Sequence, residues 1–152
     1  MSTSGNAKLF TGKFSGRLDD KNRLTIPAAW RFESDGEGSY LAIFYPASGT
    51  ILVLSPAMTQ QIAAASSKVT LSDPAKLAAM TTLSEYSDTV SCDKVGRIIL
   101  KDSILEKAHI SREVTFRGAY SAFQISAPVP VPPDTTSPEA ISLLNTLKEL
   151  GL

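Results

Sequence analysis

From residue 13 to residue 18 apolar and polar positions alternate. Phe14, Gly16 and Leu18 fall on one side, and Lys13, Ser15 and Arg17 on the other. That period of two predicts a half-buried strand. The same alternation returns in "RLTIP", with Leu24 and Ile26 inward and Arg23 and Thr25 outward. A tight loop over 19–22 separates the two strands. Pro27 stops the second strand and is expected to open a short helix, "PAAWRFES". "SDGEGS" reads as a loop. "YLAIFY" and "TILVLS" read as strands joined by "PASG". "SPAMTQQIAAASSK" has a Ser-Pro helix entry, and "SDPAKLAAMTTLSEY" begins in the same way. Residues 1–9 are small and polar and predict a frayed arm.

After residue 86 the pattern restarts. "DTVSC" leads into "DKVGR", "IIL" is a strand, and "DSILEKAH" is a short helix with Asp102 as its expected N-cap. "EVTFRG" and "AFQIS" form a strand pair like the earlier one. Asp19 falls on Asp93, Arg23 on Arg97, Leu24 on Ile98 and Ile26 on Leu100, a period of 74 residues. That is too long for a solenoid repeat and suits a duplicated small domain. "APVPVPPDTT" then predicts an extended linker. In "SPEAISLLNTLKELGL", Ser137 is the expected N-cap, Pro138 takes the first helical position and Gly151 ends the helix. Ala140, Leu143, Leu144, Leu147 and Leu150 make one apolar stripe. So short a helix is marginal alone. It docks on its own body, on a neighbouring subunit or on another protein.

The two loops share a chemical logic. The residue before each arginine is Asn22 in one copy and Gly96 in the other, the types that best tolerate left-handed backbone. Asp19 and Asp93 open the loops, where a carboxylate can accept backbone N–H bonds two or more residues on. These four residues are therefore expected to structure the loops. Two uses remain open for Arg23 and Arg97. Each can pair with its own aspartate, at low value if exposed. Each can also be presented beside a rigid loop, near Arg17 and Lys21, as a guanidinium fork suited to phosphate or a guanine edge.

Charge sharpens the second use. Formal net charge is +0, which argues against a uniformly basic nucleic-acid binder. Yet twelve of the fifteen basic residues lie within residues 8–31 and 93–117, about a third of the chain, and local field is what phosphate meets. At 152 residues with 43% hydrophobic content, the composition fits a globular protein with a core. The first ten residues lack an apolar stretch of signal-peptide length. The lone Cys92 forms no internal disulfide framework. The expectation is a cytoplasmic protein.

Enzymatic readings are poor. His109 reads as a surface or packing residue rather than a base, and Cys92 as a small strand residue rather than a nucleophile. Catalytic and metal-binding motifs are absent from the sequence, and neither cofactor nor metal is expected. Trp30 reads as core or subunit interface. Phe44, Tyr45, Phe116, Tyr120 and Phe123 read as core strand aromatics rather than base-stacking residues.

"SGRLDDKNRLTIPAAWR" resembles the first half of the MraZ family of bacterial transcription regulators, and "CDKVGRIIL…LEKAHISREVTFRGAYSAFQIS" resembles the second. The likeness runs from about residue 10 to residue 126. It implies an α+β, β-rich fold: a duplicated AbrB-like swapped-hairpin β-barrel with short helices. The implied segments are a first half at 10–60, connecting helices at 61–86, a second half at 87–127, and a proline-rich linker with an amphipathic helix at 128–152. It implies a ring-shaped homo-oligomer that binds promoter direct repeats in double-stranded DNA and usually represses the division and cell-wall gene cluster. Carried over to this chain, DNA contact falls to Lys21, Arg23 and Arg97, with Lys94 close by, and Lys13 or Arg17 is expected to replace a family contact missing near the N-terminus. Thr11 stands where many members carry arginine, Lys101 where proline is usual and Leu105 where a basic residue is common. The other reading is an AbrB-like interaction module or antitoxin acting through its C-terminal segment, with a protein partner for the last helix.

Overall fold

A computed structural model describes residues 9–31 and 39–152. The expected N-terminal arm and most of the "SDGEGS" loop lie outside the described residues, apart from Leu9 and Ser39. The fold is α+β and rich in strand: an antiparallel six-stranded sheet, a separate two-stranded ladder and, among the described residues, four α-helices. In chain order these are β1 (Lys13–Arg17), β2 (Arg23–Thr25), β3 (Ser39–Tyr45), β4 (Thr50–Leu54), α1 (Pro56–Ser66), α2 (Pro74–Glu85), β5 (Ser87–Ser91), β6 (Arg97–Ile99), α3 (Asp102–Lys107), β7 (Glu113–Gly118), β8 (Ala122–Ser126) and α4 (Pro138–Glu149).

Partners cross the repeat. The large sheet runs β1-β7-β8-β4-β3-β5, and β2 pairs with β6. Exchanging the repeats turns β1 into β5, β3 into β7 and β4 into β8, and it leaves the strand order unchanged. The β2–β6 register centres on Leu24 opposite Ile98, residues one repeat apart, so a local two-fold passes between them. β1 finds no partner in its own half. It pairs with β7, Lys13 opposite Arg117.

The central strands are buried on both faces. On β3, Tyr40, Ala42 and Phe44 enter one cluster and Ile43 the other. On β4, Ile51 and Val53 separate from Leu54 in the same way. The first cluster lies under the ladder. It joins Leu24, Ile26, Ile98 and Leu100 to Trp30, Phe116 and Phe123, with Ile104 and Leu105 of α3. Trp30 is its centre, 5.1 Å edge-on from Phe14 and 5.0 Å from Phe123. Its indole Nε1–H donates to the Thr11 carbonyl at 2.9 Å. The second cluster is covered by α1, α2 and α4 through Ile62, Leu83, Leu143, Leu147 and Leu150. The ladder and these three helices therefore occupy opposite sides of the sheet.

Of the three docking options for α4, the chain uses its own body. Leu143 is fully buried, and Lys76 of α2 donates to Glu149 at 2.6 Å. Thr146, bonded back to the Ser142 carbonyl, is buried where the stripe placed Leu144, which is half-buried. The segment before α4 has no regular structure, as expected, but it does not stand free. The Asp134 N–H donates to the Pro46 carbonyl at 2.8 Å. The Val131 carbonyl sits in the space a Cβ on Gly49 would need.

Three local expectations are corrected. After Pro27 the chain makes a single 3-10 turn, Ala28–Trp30, and Arg31 is already extended, because Trp30 plunges into the core; residues 32–34 of the expected helix lie outside the described residues. The N-cap of α3 is Lys101, and Asp102 is the first helical residue, its carboxylate used elsewhere as described below. Tyr120 is not core. It is 66% exposed with φ 63°, a left-handed turn residue whose backbone pairs with Phe10 while its ring points outward.

Candidate nucleic-acid interface

Each loop is closed by its own aspartate. Asp19 Oδ1 accepts from the backbone N–H groups of Lys21 and Arg23, both at 2.9 Å. Asp93 Oδ1 accepts in the same way from Val95 and Arg97, both at 2.9 Å. The chain must reverse within the loop to return those N–H groups. It does so at Asn22, φ 60°, and Gly96, φ 87°. The second carboxylate oxygen of each aspartate takes an arginine. Arg23 Nε donates to Asp19 Oδ2 at 2.6 Å, and Arg97 Nε to Asp93 Oδ2 at 2.8 Å.

Both uses foreseen for the arginines are thus compatible. The bridge engages Nε alone, and among the described residues the Nη groups of Arg23 and Arg97 meet no partner. Each guanidinium is oriented from behind and keeps its two-nitrogen edge, the edge that matches phosphate or guanine. An ion pair of this exposure adds little stability; its effect is to hold direction. The Arg23 backbone N–H, then its guanidinium and the Lys21 N–H, outweigh partial desolvation and hold the Asp19 carboxyl down to about 2. Asp93 is lowered likewise, first by the Arg97 backbone N–H. Both aspartates are charged at neutral pH, so the clamp is present there.

The ladder brings the two loops together. Arg23 lies opposite Ile99, and Thr25 opposite Arg97. With Leu24 and Ile98 fully buried, these four side chains share the outer face. Lys21 and Lys94 are exposed at the loop tips. Arg17 is not part of this face. It lies at the end of β1 in the large sheet, 3.5 Å from Glu113. Asp20, the second acid of the first loop, faces Arg112 at 3.4 Å.

Two contributors escaped sequence reasoning, Arg31 and Asp102. Each braces the loop of the other half. Asp102 Oδ1 accepts from Asn22 Nδ2 at 2.7 Å. Arg31 Nη1 donates to the Val95 carbonyl at 2.8 Å, and its side chain fills the space a Cβ on Gly96 would occupy. Glycine is thus doubly required at 96, by φ and by Arg31. The only sequence signal was position, since both follow a ladder strand by a few residues. Leu105, where a basic residue is common in the resembled family, is 5% exposed and packs in the core.

Among the described residues no His, Cys, Asp and Glu cluster could hold a metal ion, and no helix is long and apolar enough to cross a membrane.

No family model matches the chain. Curated relatives do. A transcriptional regulator MraZ from Chlorobium phaeobacteroides is 30% identical over 123 residues, 78% of this chain and 83% of that protein. One from Thermomicrobium roseum is 31% identical over 121 residues, 79% and 82% of the two chains. One from Mycobacterium tuberculosis is 30% identical over 117 residues, 77% and 80% of the two chains.

Proposed function

The chain belongs to the MraZ family of transcriptional regulators, and from that membership we propose that it binds double-stranded promoter DNA through the outer face of the β2–β6 ladder and its two loops. One observation carries the proposal. Two arginines stand on one face, each clamped at Nε by a loop aspartate and each keeping its Nη edge. Arg23 and Arg97 make the specific contacts, and Lys21 and Lys94 at the loop tips hold phosphates. Arg17, set apart and paired with Glu113, contributes only to the surrounding field.

The finer reading follows the family resemblance. The crossed strand pairing supports a swapped-hairpin barrel in which one chain supplies both hairpins. Chains assemble into a ring and engage direct repeats in the promoter of the division and cell-wall gene cluster, acting as a nucleoid-associated repressor. Physical argument favours such an assembly. A single chain with net charge +0 offers few phosphate contacts and binds weakly, and the salt dependence steepens as more copies engage. Several adjacent copies of the face on repeated sites recover affinity through effective concentration, and head-to-tail contacts match direct repeats. The antitoxin-like reading is disfavoured because the apolar stripe of α4 is already covered by its own chain.

A gel shift of the purified protein on DNA from its own promoter, at two salt concentrations and beside Arg23→Ala, tests the proposal. A salt-sensitive shift lost in the variant is expected. A shift unaffected by Arg23→Ala and by Arg97→Ala removes the ladder face from DNA binding.

A further inference from the structure

The cationic face of the ladder carries two apolar side chains. Ile99 is 56% exposed and Val95 is 58% exposed. One repeat earlier the same positions hold Thr25 and Lys21. Neither apolar residue is needed for packing, which Ile98 and Leu100 supply from fully or nearly buried positions. Ile99 lies directly opposite Arg23, where facing Cβ atoms are roughly 5 Å apart. Val95 sits at the loop tip beside Lys94, its carbonyl held by Arg31. A branched apolar group is thus held rigidly next to a guanidinium edge.

We infer that Ile99, assisted by Val95, is a specificity determinant that reads the 5-methyl group of thymine in the major groove. The inference rests on the reading of this face as the DNA-binding surface. The major groove admits a two-stranded β-ribbon. There guanine offers two acceptors suited to an arginine fork, and thymine alone offers a methyl group. The facing pair of Arg23 and Ile99 supplies one reader of each kind side by side. The other pair, Arg97 and Thr25, supplies a fork beside a smaller methyl-bearing side chain. Lys21 and Lys94 at the loop tips, with the Nη edges that Arg23 and Arg97 keep beyond their aspartates, suit an anionic occupant with carbon groups within reach. Duplex DNA meets that description. A second copy of this chain would have to bring unengaged carboxylates to the same place.

The test is fluorescence anisotropy of the full chain with its promoter duplex and with the same duplex carrying uracil for every thymine, which removes only the methyl groups. Wild type should bind the uracil duplex about three- to five-fold more weakly for each methyl group that it reads. Ile99→Ser should weaken binding to the thymine duplex by a similar factor and discriminate less between the two. Equal binding of both duplexes by wild type, with Arg23→Ala still binding neither, overturns the methyl reading and leaves the DNA reading standing. Full discrimination retained by Ile99→Ser overturns it too, as does a changed oligomer size in that variant with an unchanged thymine preference. Binding of neither duplex by wild type removes the DNA reading and this inference with it.

Discussion

The loop at 19–22 and the loop at 93–96 have the same hydrogen-bond skeleton and different surfaces. In both, one aspartate oxygen gathers two backbone N–H groups and the other holds an arginine at Nε. The first loop adds Asp20 and Lys21 and reverses at Asn22. The second adds Lys94 and Val95 and reverses at Gly96. Their braces differ as well. Asn22 is tied by its own side chain to Asp102, whereas the second loop is held through a main-chain carbonyl by Arg31. The scaffold is thus set by a few backbone demands, and the remaining positions were free to diverge. One clamp occurs twice, and the two copies present different side chains around it.

The largest expected difference is in DNA affinity. Arg23→Ala should abolish specific promoter binding without unfolding the protein, and Arg97→Ala should weaken it less. Losing one good fork costs about 1–3 kcal/mol per site, multiplied across the copies engaged. Anisotropy titrations with circular dichroism on the same samples check both. Equal losses would break the contrast.

Next comes the backbone. Gly96→Val should destabilise the fold by about 2–3 kcal/mol, since a branched residue resists left-handed φ and must displace Arg31. Asn22→Gly should change stability by less than about 1 kcal/mol, because glycine accepts the same φ and only the bond to Asp102 disappears. Urea unfolding of the two variants sharpens the comparison directly.

Protonation gives a smaller effect. A carboxyl held below its unfolded value adds stability above that value and loses it as pH falls through the folded one. For Asp19 the window runs from the ordinary 3.8 down to about 2. Carboxyl NMR titration should place the Asp19 midpoint at about 2, and that of Asp93 also below 3.8. Either carboxyl titrating at its ordinary value would mean that clamp is not formed in solution. The smallest effect is expected from Asp102→Asn. Because an asparagine oxygen can still accept from Asn22, that variant should leave global stability within about 1 kcal/mol and loop exchange nearly unchanged, whereas Asp102→Ala should raise amide exchange in the first loop and not the second.

Local chemistry was legible in the sequence where one residue type answers one backbone demand. Asn22 and Gly96 mark left-handed positions, alternation sorts Leu24 from Arg23, and Ser55, Asp73 and Ser137 before proline mark helix starts that the structure contains. What stayed hidden depends on partners distant in the chain. Alternation tells which side of β1 is buried, but not that β7 pairs with it. Asp102 has the type and place of an N-cap, and only the fold reveals the nearer claim of Asn22 on its carboxylate. Arg31 is one of the basic residues within 8–31, and only the fold brings it to the Val95 carbonyl. Tyr120 carries a strand-forming side chain, yet the turn between β7 and β8 required a left-handed residue there, and no glycine was supplied.

The crossed pairing also sets an order of events during synthesis. β1 leaves the ribosome with no partner and stays without one until β7 follows, about a hundred residues later. Long separations of this kind slow folding and leave strand edges open meanwhile. The sheet therefore cannot close on the first half alone, and the nascent chain should resist protease only once residues past 126 have cleared the exit tunnel.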